Sequence, residues 1–497
     1  MTARSEQRAS TSLPARLPAL VRTVALPAVL TVLVAAPDRP PLRADPLIVD
    51  DAATLVELED RGLSFEQVVG ADRLAAIAAT VREDMAELAR GHADDDPRRP
   101  FKPEWLRRGR FELVGLVNRI DRRRFDAASC GEVRLVYRLT IKNRGRPVTR
   151  LPMTINARIP QPRPDGEPDC RRVARRWLAK DDPVRLVGER PPAHIEINFQ
   201  SFHTPGARPD MDDSAEYVLR AFAVEGRALR RDGLFNTPRQ DLDRRELMAW
   251  IAEHLTEIDD GSAELPRPFL AERVVSVSPR GLVHPANRPF STKLSAADVA
   301  SLSLSSLAVA RTPELLLRRL DESTCTGCHQ TRGVAGFHLL GQERSDASFN
   351  ALAVGRSPHL DADLGWRRAD LTSAARGERG APRPFAAYPS GELGSDCGLV
   401  AGLASWTCRP GLVCRDIHRG DVGVCAPASA SEPGDPCEDV SLAPSARPEG
   451  VVVTASRPDT TCPAPSGEQR SGKFCAPNWL GFTGGVCSER CTEVGQR

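Results

Sequence analysis

Lysine is nearly missing from this chain. Five lysines stand among 68 basic residues, the other 63 being arginines, and 66 acidic side chains bring the formal net charge to +2. No global field therefore draws the protein to nucleic acid, and the composition supports no such partner. Aromatic residues are only 5%, with three tyrosines. The five methionines (Met1, Met85, Met153, Met211 and Met248) all lie in the first half. Long apolar runs are absent after Thr23–Pro37 (TVALPAVLTVLVAAP), which is shorter than the ~20 residues a spanning helix needs. No Gly-rich phosphate loop, Gly-x-Ser-x-Gly elbow or His-Glu-x-x-His is present, so nucleotide and hydrolytic chemistry have no support. At 41% hydrophobic and 27% charged, the 497 residues exclude a wholly disordered chain and leave room for several folded units. The arginine bias fits GC-rich coding, so an arginine cluster is not by itself read as a binding site.

Arg4, Arg8, Arg16 and Arg22 precede the Thr23–Pro37 stretch, which ends in small residues, and residues 1–37 read as a secretory signal. Thirteen cysteines, nine of them between Cys397 and Cys491, agree with an oxidising compartment. The expected location is outside the cytoplasm: periplasm, cell surface or secreted, with no transmembrane segment once the signal is removed.

The expected fold class is α+β. Residues 45–292 read as an antiparallel, β-rich unit with helices. Apolar positions Leu74, Ile77, Val81, Met85 and Leu88 mark one face of a helix over Asp72–Arg90. From Phe111 the period changes to two: FELVGLVNRI, EVRLVYRLTI, LPMTINARI and HIEINFQSF predict strands of a half-buried sheet, with a looser one over Glu216–Val224. A second helix is expected over Arg239–Ile258, starting at Thr237-Pro238, and others near Ser295–Val309 and Pro313–Leu320. Cys130 and Cys170 are the two cysteines of this unit and are expected to pair. Residues 293–375 form the segment discussed next, with no apolar period over 345–390. Residues 376–393, Gly- and Pro-rich, read as a linker.

Residues 394–497 have few apolar runs and must rely on cross-links. The tail reads as two copies, 394–425 and 434–491. Cys397, Cys408, Cys414 and Cys425 of the first match Cys437, Cys462, Cys475 and Cys487 of the second, although the intervals differ. Disulfides are expected within each copy. Cys491 is left over as the free or chain-joining thiol.

The most informative stretch is STCTGCHQTRGVAGFHLLG at 323–341. Cys325, Cys328 and His329 form Cys-x-x-Cys-His, the attachment signal of a c-type haem. Two thiols three positions apart near a helix start can each reach a vinyl group of one porphyrin, while the adjacent imidazole reaches the iron. A redox-active Cys325–Cys328 disulfide, a structural disulfide and a zinc site completed by a later histidine such as His338 stand beside this reading.

At these residues the chain resembles the c-type cytochromes. The resemblance spans about residues 310–345. It implies covalent haem c, with Cys325 and Cys328 as thioether partners and His329 as the proximal iron ligand. The family's distal methionine has no counterpart after His329. His338, His359 and His418 are the downstream candidates for the sixth position, and His338 is the nearest. A usual cytochrome c domain would close with a C-terminal helix, for which the sequence shows no apolar period, so the haem is expected to pack against the α+β unit. The stretches FELVGLVNRIDRR and SCGEVRLVYRL are also similar to uncharacterised secreted bacterial proteins.

The functional expectation is an exported haem protein passing single electrons to a redox partner protein. One alternative is a secreted or surface binding protein, with the disulfide-rich tail contacting an envelope or surface partner and haem as sensor or staple. The other is a haem enzyme with an open sixth site. Asp210, Asp212, Asp213 and Glu216 read as a solvated acidic turn rather than a calcium loop, and His194 and His203 as surface or hydrogen-bonded residues.

Overall fold

The computed structural model describes residues 42–90, 99–126, 128–142, 148–188, 190–203, 215–278, 287–331, 358–385, 391, 396–415, 421–427, 436–437, 445–446, 452–453, 474–477 and 485–488. The secretory-signal segment, the acidic turn over 210–213, His338, His418, Cys462 and Cys491 fall outside them.

Period-two alternation in the first half builds a nine-stranded antiparallel sheet. Its strands are β1 (Ile48–Val49), β2 (Arg99–Pro100), β3 (Arg110–Arg119), β4 (Ser129–Lys142), β5 (Val148–Pro162), β6 (His194–His203), β7 (Ala215–Glu225), β8 (Ala228–Asp232) and β9 (Arg273–Ser278). They run in the order β1-β3-β4-β5-β6-β7-β8, with β2 added on β6 and β9 on β7. Val133, Leu135, Tyr137 and Leu139 of β4 share one face with Met153, Ile155 and Ile159 of β5 and with Ile195, Ile197 and Phe199 of β6. This face forms the main core together with helix Ala71–Ala89, which contributes Ile77, Val81, Met85 and Leu88. Each such side chain, fully buried, stabilises the fold by about 1.5–3 kcal/mol.

The opposite face departs from the expectation of a half-buried sheet. Its polar residues Glu132, Arg134, Thr154, Asn156, Glu196 and Asn198 are buried too. Alternation in sequence assigns faces, but an ion-paired face can be covered as well as an apolar one. A second, helical core lies around Leu247, Trp250, Ile258, Phe290, Leu316 and Leu320.

Several helices differ from the sequence reading. The helix expected over Arg239–Ile258 is two, Arg244–Glu253 and Leu255–Asp260, broken where His254 leaves helical geometry and its Nδ1 lies 2.8 Å from the Trp250 carbonyl oxygen. Its cap is Asp243, whose carboxylate accepts from the N–H groups of Arg245 and Glu246. Only Ala296–Val299 of the helix expected near Ser295–Val309 forms. Pro313–Ser323 is a helix, capped by Thr312.

The largest correction is a 19-residue helix, Pro358–Arg376, where no apolar period was found. Its inward face carries Asp363, Arg367 and Asp370 beside Leu371, Ala374 and Ala375, all buried. Charges buried in pairs carry no hydrophobic period, which is why the pattern missed it. Arg367 Nε donates to Asp363 at 2.6 Å and Arg367 Nη1 to Asp121 at 3.1 Å. The segment read as a linker is irregular but held: Arg383 bonds Asp121 at 3.1 Å and Asp363 at 3.0 Å.

Cys130 and Cys170 are joined in a disulfide, with Cα atoms 5.4 Å apart. In the tail, β10 (Asp396–Gly398), β11 (Leu412–Arg415) and β12 (Val422–Pro427) form a sheet laced by Cys397–Cys414 and Cys408–Cys425. This copy does not rely on cross-links alone. Leu403, Trp406 and Val422 bury against Leu315 of helix Pro313–Ser323, and Thr312 donates to the Gly402 carbonyl at 2.8 Å.

Next come β13 (Pro436–Cys437), the pair β14 (Ser445–Ala446) and β15 (Val452–Val453), then β16 (Phe474–Pro477) and β17 (Gly485–Ser488). In both copies the last strand is central, in the orders β10-β12-β11 and β13-β17-β16. The registers correspond as well. Cys397 faces Gly423 and Cys414 faces Cys425 in the first copy; Cys437 faces Gly485 and Cys475 faces Cys487 in the second. Peptide mapping of the unreduced protein is therefore expected to give Cys437–Cys475 and Cys462–Cys487, with Cys491 unpaired in a monomer. Recovery of Cys437–Cys487 or Cys462–Cys475 would contradict the duplication.

Candidate functional site

Helix Pro313–Ser323 ends at Thr324, whose extended backbone turns the chain into the short helix Cys325–Thr331. Thr324 caps this second helix: its Oγ1 accepts from Gly327 N–H at 2.9 Å and donates to the Asp321 carbonyl at 2.7 Å. Gly327 is required by the same corner, because a Cβ there would sit 2.0 Å from the Asp321 carbonyl oxygen. The Asp321 side chain, buried below the turn, accepts from the N–H groups of Phe290 and Ser291 at 2.8 and 3.2 Å. Burial lifts its carboxyl to about 6 despite those bonds.

The Cys325 N–H donates to Thr237 Oγ1 at 3.0 Å, so Thr237, expected at a helix start, anchors the motif instead. Cys325 and Cys328 are both free thiols. They pack beside Leu219, Ala221, Leu234 and Val274, which come from β7, the loop after β8, and β9. The motif therefore lies directly on the sheet. Burial pushes the Cys325 thiol up to about 12. Redox-active Cys-x-x-Cys pairs have lowered values, so this property stands against the thioredoxin-like reading, as does an antiparallel sheet in place of a βαβ unit. The zinc reading gains no third ligand among the described residues. The one cluster of metal-ligating atoms found there, Cys397, Cys408 and Cys425, is committed to disulfides. His329 lies in the motif helix, and its side chain is outside the described atoms, as is that of His359 in helix Pro358–Arg376.

Both thiols line one open-mouthed cavity, which holds about 80 Å³ of water-accessible space. Its apolar wall includes Leu219, Leu234, Phe125 and Phe235. Six arginines and two glutamates also line it, and of these arginines Arg119, Arg134, Arg220 and Arg383 are ion-paired with carboxylates. Behind it lies a buried lattice: Arg134 bonds Glu132 at 2.7 Å and Glu196 at 3.0 Å, and Arg158 bonds the same two carboxylates at 2.9 and 3.1 Å. Burial alone would raise Glu132, but Arg158 and Arg134 outweigh it and hold the carboxyl well below the usual range.

Sequence reading located the thiols but missed their surroundings. Thr237, Thr324 and the arginine–aromatic wall carry no motif. A usable signal was the run NRIDRRRF at 118–125, where arginines interrupt apolar residues at the end of a strand. These arginines, which the composition alone would assign to coding bias, are in the structure tied into ion pairs that reach distant parts of the chain. Arg123 and Arg124 bond Asp370, and Arg124 also bonds Asp260 at 3.0 Å. His194, by contrast, lies 3.3 Å from Asp232, away from the cavity wall.

No described helix is long and apolar enough to cross a membrane. Comparison with protein families, curated proteins and solved structures finds no match for this chain.

Proposed function

We propose that this chain is an exported c-type haem protein that passes single electrons. The observation that carries the reading is the opening of both Cys-x-x-Cys-His thiols onto one cavity with an apolar wall. A covalently held haem supplies one-electron transfer. Cys325 and Cys328 would hold it, and His329 would supply the proximal imidazole. Each attachment is balanced without an oxidant: the S–H bond breaks, sulfur bonds one vinyl carbon, and the hydrogen goes to the other. Leu219 and Ala221 of the sheet pack beside the thiols, which supports a haem seated on the α+β unit itself in place of a separate cytochrome domain. The three disulfides among the described residues agree with a location outside the cytoplasm.

The first tail copy packs on the helix leading into the motif, which ties it to the cavity and leaves the idea of a detached interaction module to the second copy. The test is the denatured, purified protein, produced with haem-attachment machinery. One haem per chain retained as a c-type haemochrome is expected, and a colourless mature chain would overturn the reading. Electron transfer further expects a six-coordinate ferrous protein that does not take up CO. Rapid CO binding would favour the open-site enzyme or sensor.

A further inference from the structure

We propose that Arg122 is the anion-receiving side chain of this cavity and binds a carboxylate of its occupant. The inference rests on the haem reading, under which that carboxylate is a propionate. Arg122 belongs to the 3-10 turn Ile120–Arg124 at the end of β3. Its guanidinium lies 4.0 Å from the ring centroid of Phe235 and 4.6 Å from that of Phe125, so two aromatic faces fix its plane against the cavity. The carboxylate it meets, Glu132, is 3.8 Å away, beyond hydrogen-bond distance. Glu132 is already bonded by Arg134 and Arg158, and so is Glu196.

Three guanidiniums thus share two carboxylates in a nearly closed region, where the Arg122 side chain is only 11% exposed. A buried cation without a bonded counter-charge is costly, and a carboxylate from the cavity side supplies one. The electrostatics agree: burial, with Arg158, Arg119 and Arg134 adding to it, brings Arg122 down to about 10 against the pull of Glu132. Arginine's planar fork suits two parallel bonds to a carboxylate, which a lysine would not reproduce.

The experiment uses the full-length, haem-loaded protein and its R122Q and R122K variants. The exposed charge variant R230Q serves as control, since Arg230 lies outside the cavity wall and is 43% exposed. Haemochrome content is read on every sample, so failure of the haem reading appears as its loss from the unmutated protein and overturns both proposals. With haem present in all variants, R122Q is expected to shift the propionate bending band in resonance Raman spectra. At fixed poise it is also expected to move the oxidised-to-reduced ratio about tenfold towards ferric, the order of one unit charge ~10 Å away at an effective dielectric of ~20. R122K, which keeps the charge, shifts the band with little change in poise. R230Q changes neither. Should R122Q fail to accumulate, the R122K band alone decides. An unchanged band in whichever of these variants accumulates overturns the assignment.

Discussion

Replacing Cys325 and Cys328 together by serine is expected to give a colourless protein that remains folded. Under the haem reading both thioether bonds are lost, because a serine hydroxyl is not the soft nucleophile that adds to a vinyl group. The retained fold follows from where the thiols sit. They belong to a small cluster with Leu219, Ala221 and Leu234, separate from the main sheet core and from the helical core around Trp250 and Leu316. Two partly buried hydroxyls in place of thiols cost about 1–3 kcal/mol each, against a stability of about 5–15 kcal/mol. Each single variant keeps one attachment and gives a haemochrome band displaced from that of the intact protein. Visible spectra after denaturation, with circular dichroism on the same samples, check this. Covalent pigment surviving in the double variant would show attachment elsewhere, and equal, colourless spectra from both proteins would return the pair to a structural role.

How far such a site can be read from sequence depends on which force builds each part. The strands carrying Val133 to Leu139 and Ile195 to Phe199 were legible because burial of one face imposes period two. The Cys-x-x-Cys-His residues were legible because the attachment chemistry proposed for them fixes their spacing. The helix Pro358–Arg376 was not, since its buried face is made of Asp363, Arg367 and Asp370. A salt bridge across some 240 residues leaves no local trace. Arg122 stands in a visible run, but the role proposed for it was not legible there, because it depends on Phe235, brought over it by the fold, and on carboxylates that can be counted only in three dimensions. The tail lay between these cases. Its cysteine pairs suggested duplication despite unequal intervals, and the matching strand registers of the two copies now support it.

The same buried charge lattice sets the second large effect. Asp121, 3% exposed, accepts from Arg119, Arg367 and Arg383, each at 3.1 Å. It thereby ties the end of β3 to helix Pro358–Arg376 and to the segment read as a linker. Burial alone would raise its carboxyl, but the three guanidiniums outweigh burial and hold it well below the usual range. Asp121→Asn removes the carboxylate that three buried arginines share and is expected to cost about 3–5 kcal/mol, as breaking a buried ion pair does. The sign of the pH dependence follows from the depressed folded value. The contribution is complete above the unfolded pKa of about 3.9 and disappears as pH falls through the lower folded one. Glu132 and Glu196 are depressed too and add to the same acid limb. Asp321, raised to about 6, acts the other way, weakening the fold as pH rises from about 4 to 6. Urea titrations from about pH 2 to 7 should therefore show stability falling steeply below about pH 4 in the unmutated protein and less steeply in Asp121→Asn. Because the knot is buried, added salt should not reproduce the loss. A variant with an unchanged urea midpoint at pH 7 would mean that the arginines find other partners and that Asp121 does not hold these segments together.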